Sequence, residues 1–123
     1  METKTILVVE DEAPQLNLLT QILQNAGYRV FGAAEGLAAR DIYRKQQGEI
    51  DLVLSDMALP KFGGWTVYLM LREIDPEVKM ILTSGYLDAK VKDELVRGGI
   101  KDFIPKPYIP EAIVNSVSQA LDG

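Results

Sequence analysis

Six residues whose side chains can ligate a metal, attack a phosphorus or donate a hydrogen bond follow short apolar runs. Glu10 and Asp11 follow the run 6–9, Asp56 follows 52–54, Thr83 and Ser84 follow 80–82, and Lys106 follows 103–105. Any one of them has a bland reading, and Asp56 alone reads as a turn former. Together they make a chemical set. Clustered carboxylates raise one another's pKa unless a cation joins them. Magnesium answers that need, taking one or two carboxylates and keeping several waters. A metal-bound carboxylate beside a lysine and a hydroxyl suits a phosphoryl group, whose oxygens the cations neutralise. An aspartate can itself accept that group.

This chemistry requires one place, so the elements must converge. Unbroken apolar runs at 6–9, within a strand at 4–9, and at 52–54, within the stretch 50–60, read as strands buried on both faces. Further strands are expected at 28–33, 78–83 and 100–104. Between them lie helical patterns. Pro14 suits a first helical turn, with Leu16, Leu19, Leu23 and Ala26 at helical spacing and Gly27 as the stop. A second helix spans 36–47, with Leu37 and Ile42 inward. A third follows Gly64 and closes before Pro76. Asp88 caps a fourth, whose inner positions include Val91, Leu95 and Val96. A last helix runs from Pro110 to about Leu121, with Ile113 and Val117 on one face. Five strands alternating with five helices predict a three-layer α/β architecture with a parallel sheet. All six chemical residues then fall on one sheet edge, where ligands bind in such folds.

Composition narrows the chemistry. The chain has 123 residues, 47% of them hydrophobic and 25% charged, which fits one soluble domain over 1–123. It contains neither cysteine nor histidine. That excludes thiolate or imidazole metal sites, cysteine nucleophiles and Ser-His-Asp triads. Any metal must be held by oxygen. A net charge of −5 argues against direct nucleic acid binding. No run is long enough to span a membrane and no signal peptide is evident, so a cytoplasmic location is expected.

The ordered pieces LVVEDE, LVLSDMALPKFGGW, MILTSGY and KDFIPKPY resemble the receiver domain of two-component response regulators, across essentially the whole chain. The resemblance implies a flavodoxin-like (βα)5 domain with strand order 2-1-3-4-5, which sets strands one and three side by side. It implies that Asp56 is the phosphoacceptor in a magnesium-dependent reaction. Asp11 would be a direct metal ligand with Asp56, Glu10 would act on metal-bound water, and Ala58 would add its backbone carbonyl. Ser84 would contact the phosphoryl group, with Thr83 as its rival, and Lys106 matches the family lysine. The Lys106–Pro107 bond is usually cis. Phe103 matches an aromatic switch position, and plain core packing suits it equally. Glu10 stands where Asp is commoner, Leu59 replaces a frequent Met, and Phe103 lacks the hydroxyl of Tyr. The VEDE and SGY segments resemble receivers attached to hybrid histidine kinases.

The implied function is a switch rather than an enzyme on other substrates. It would take a phosphoryl group from a sensor histidine kinase or phosphotransfer protein, catalyse only its own phosphorylation and dephosphorylation, and alter a face read by a downstream protein. The alternative is a pseudo-receiver that binds partners without phosphorylation. Enzyme readings fare worse, since no DxDxT, GxGxxG or P-loop motif is present. Ala58 and Tyr86 would flank the path of hydrolytic water. Ala58 cannot orient a water, and Tyr86 would either cover the approach or hold a water by its hydroxyl.

Overall fold

The computed structural model describes residues 3–86 and 88–123. Among these, β1 (Thr5–Val9), β2 (Arg29–Ala33), β3 (Leu52–Asp56), β4 (Met80–Ser84) and β5 (Asp102–Pro105) alternate with α1 (Ala13–Asn25), α2 (Gly36–Lys45), α3 (Gly64–Ile74), α4 (Ala89–Arg97) and α5 (Pro110–Asp122). All strand pairings are parallel, in the order β2-β1-β3-β4-β5.

The two central runs explain the layers. Alternate residues of a strand face opposite sides of a sheet. Ile6, Val8, Leu52, Leu54 and Ile81 pack with Leu19 and Leu23 of α1 and Ile113 and Val117 of α5. Leu7, Val9, Val53, Met80 and Leu82 pack with Ala39 and Tyr43 of α2 and Val67 and Leu71 of α3. Both faces are covered, so β1 and β3 are buried along their whole length. The sheet therefore holds its carboxyl edge rigidly.

Three expectations shift. β4 begins at Met80 rather than residue 78, and β5 at Asp102 rather than 100. Ile100 is buried in the turn that precedes β5 instead. The larger correction concerns α4. Asp88 does cap it, accepting from the Lys90 N–H at 2.7 Å. Val91 and Val96, however, are 38% and 45% exposed, and no residue of α4 is buried. Leu95 alone of the three packs against the core. No helix among the described residues is long and apolar enough to cross a membrane.

Candidate functional site

Each site residue is delivered by a strand end. Backbone pairing extends past β1, where the Glu10 N–H donates to the Ala33 carbonyl at 2.9 Å, so Glu10 remains fully buried. Asp11 comes next and is exposed. Asp56 closes β3 and is 5% exposed. The Met57 N–H then bonds the Thr83 carbonyl, and the Gly64 N–H bonds the Met57 carbonyl. A Cβ on Gly64 would lie 2.8 Å from the Asp56 carbonyl oxygen and 2.7 Å from Leu82 Cδ2, so this return needs glycine.

Lys106 reaches the same edge from β5. Its ammonium donates to Asp56 Oδ2 at 3.0 Å and lies 3.9 Å from Glu10 Oε2. The Ala58 N–H holds Asp56 Oδ1 at 3.1 Å. Glu10, Asp11 and Asp56 each bring one carboxylate oxygen within 4.8 Å of the others. Burial pushes the Glu10 carboxyl above its usual range, and the Asp56 charge adds to this. Burial works against the Lys106 charge, but the bond to Asp56 and the neighbouring acidic groups outweigh it and raise its pKa. Three hard oxygen donors fit a small divalent cation such as magnesium, which would share the cluster with the Lys106 ammonium.

The hydroxyls divide. Ser84 donates to the Tyr86 carbonyl at 2.6 Å and accepts from the Tyr86 N–H at 3.3 Å, so it is engaged in its own turn. Thr83 is fully buried and bonds the Tyr108 hydroxyl at 3.1 Å. Phe103 is half-buried against the α2 and α3 face, with the Lys92 ammonium 6.0 Å from its ring centre. Ser84, Tyr86, Lys92 and Phe103 border a cavity of about 320 Å³. Tyr86 is 84% exposed, which leaves little of it to cover Asp56 in this state. The Lys106–Pro107 bond is cis.

Sequence reasoning assigns Tyr108 no role, yet its hydroxyl lies 3.3 Å from Glu10 Oε2. Burial, and then the Glu10 charge, push its pKa up to about 12 against the opposing bond from Thr83. The one signal in the sequence is the hydroxyl itself, two residues beyond Lys106 on the site edge.

Comparisons with known proteins agree with this fold. The family model for the response regulator receiver domain matches residues 6–118. The chain is 34% identical to the sensor kinase CckA of Brucella abortus, over 96% of this chain and 12% of that protein. It is 32% identical to the chemotaxis protein CheY of Thermotoga maritima, over 94% of this chain and 96% of that protein. Among solved structures, the CheX–CheY–BeF3–Mg2+ complex of Borrelia burgdorferi matches with a TM-score of 0.89 and 27% identity, covering 94% of this chain and 87% of that one.

Proposed function

Because this chain belongs to the response regulator receiver domain family, we propose that residues 1–123 act as a phosphorylatable switch with Asp56 as the acceptor. The single observation that carries this is the Asp56 environment: one oxygen held by Ala58, the other by Lys106, with Glu10 and Asp11 alongside. An Asp56 carboxylate oxygen forms the new bond to phosphorus. The bond from phosphorus to the donor breaks, and its electron pair leaves with the donor. The donor is a phosphohistidine of a kinase or phosphotransfer protein, a reading supported by the likeness to the sensor kinase CckA. A magnesium ion, when bound, supplies charge neutralisation for the phosphoryl oxygens. The similar Borrelia complex carries magnesium together with BeF3, which supports that choice of metal.

The chain's own residues do the rest. Asp11 and Asp56 would hold the ion directly, Glu10 would act through its water shell, and the Ala58 carbonyl would complete the protein's share. Lys106 neutralises a phosphoryl oxygen. Ser84 leaves the Tyr86 carbonyl to donate to another. That movement opens space beside Phe103 and biases the face formed by α4, β5 and α5 toward a second state, which a downstream protein reads.

The test is incubation with magnesium and acetyl phosphate followed by mass measurement. One phosphoryl group is expected on the parent and none on Asp56→Asn. Undiminished labelling of the variant overturns the assignment. A parent that takes no phosphoryl group from acetyl phosphate or from any histidine kinase supports the pseudo-receiver instead.

A further inference from the structure

We infer that Tyr108 is a positioning residue whose hydroxyl, backed by Thr83, holds the Glu10 carboxylate in place for the metal site. This rests on the proposed role of Glu10. An ionised carboxylate only accepts, so the one hydroxyl hydrogen of Tyr108 goes to Glu10 Oε2. Thr83 then donates to the Tyr108 oxygen. The hydrogen bonds run in one direction, from β4 through the loop after β5 to the end of β1.

The alternative role for Tyr108 is packing. Its ring does pack on the α1 and α5 face of the core. A phenylalanine would do that as well, so packing leaves the hydroxyl unexplained. Glu10 shows what the hydroxyl does. Its Oε1 accepts from the Glu12 N–H at 3.3 Å. Among the described residues its Oε2 meets one hydrogen-bond donor, the Tyr108 hydroxyl, and one ion-pair partner, the Lys106 ammonium at 3.9 Å. With the hydroxyl removed, Lys106 is the remaining attraction on Oε2. The carboxylate would then swing toward an ammonium already shared with Asp56. Outer partners that orient a metal site's acids commonly affect metal affinity in this way.

The experiment uses the whole 123-residue chain as parent, Tyr108→Phe, Thr83→Val, the double variant and Glu10→Gln. Magnesium is titrated by the rise in Tm and by amide shifts at residues 10–12 and 56–58. The initial rate of labelling by acetyl phosphate is measured across the same magnesium range. Tyr108→Phe should raise the half-saturating magnesium concentration about fivefold. That is below the ~10–100-fold typical of such partners because the bond is long. Its labelling rate at saturating magnesium should match the parent. Thr83→Val should shift affinity the same way by less, and the double variant should match Tyr108→Phe, as one connected chain requires. If Glu10→Gln weakens magnesium and Tyr108→Phe does not, the positioning role is wrong while the reading of Glu10 stands. If Tyr108→Phe lowers only the metal-free Tm, the hydroxyl is structural and the inference fails. If Glu10→Gln leaves magnesium binding unchanged, both fail.

Discussion

The Lys106 ammonium lies 3.0 Å from Asp56 Oδ2, a carboxylate fifty positions earlier in the chain. It is the one basic side chain ion-paired with the described acid cluster, and it is 26% exposed. Lys106→Ala should therefore leave Asp56 facing Glu10 without a cation. Metal-free stability should fall by about 1–2 kcal/mol, as for a partly screened bond to a charged group. Magnesium should then raise Tm more in the variant than in the parent, because the metal no longer competes with an ammonium. Denaturation with and without magnesium checks this. An equal metal-induced gain in both proteins would count against it.

Glu10 carries a stability cost. Its folded-state pKa is raised, so between its usual value and the raised one the native state binds more protons than the unfolded state. Stability falls as pH rises through that window and stays lowered above it. Glu10→Gln should match or exceed the parent in metal-free Tm at pH 7. The advantage should shrink as pH falls through that window and be gone below the usual carboxylate range. Thermal melts in chelator from pH 3 to 8 read this out, and a variant advantage that grows in acid would contradict the assigned direction.

Ser84 must break its bond to the Tyr86 carbonyl before it can serve a phosphoryl group. Addition of beryllofluoride with magnesium should move the amide signals of Ser84, Tyr86, α4 and residues 102–108. α4 has no buried residue and so resists little. Phe103→Ala should shrink the response in α4 while leaving shifts at residues 10–12 and 56–58. Shifts confined to the acid pocket of the parent would mean that nothing propagates.

If Asp56 is the acceptor as proposed, Ala58 should bear on how long the phosphoryl group stays there. It is exposed beside Asp56 and has no polar side-chain atom to orient a hydrolytic water. Orientation supplies much of the catalysis in such reactions. Ala58→Asn should shorten the lifetime of the phosphorylated chain, on the order of tenfold for one positioned water. Tyr86→Ala should shorten it less, because Tyr86 is 84% exposed here. Phosphate release from the purified phosphoprotein decides, and a longer lifetime for Ala58→Asn would remove this explanation.

Much of the molecule is legible in the residue order. Buried parallel strands must be apolar on both faces, so residues 6–9 and 52–54 announce themselves. Glu10 and Asp56 stand where those patterns end, and Lys106 where the last strand ends. The strand order comes from the family resemblance, because periodicity cannot say which strands are neighbours. The interior of α4 is misjudged from sequence for a physical reason. Val91 and Val96 are apolar and helically spaced, but spacing records only which residues share a face, not whether a helix docks closely enough to bury it. β5 begins late because Ile100 is buried without pairing in the sheet, and burial and strand pairing leave the same apolar mark. The sequence alone determined the chemical set: carboxylates, a lysine and hydroxyls, with no thiol or imidazole. Only the tertiary structure decided which hydroxyl faces which acid. Thr83 and Ser84 are adjacent and chemically alike, but successive strand side chains point to opposite faces. One is buried against Tyr108 and the other turns into its own loop. Tyr108 meets Glu10 across 98 positions of chain, a contact set by the sheet and not by anything local.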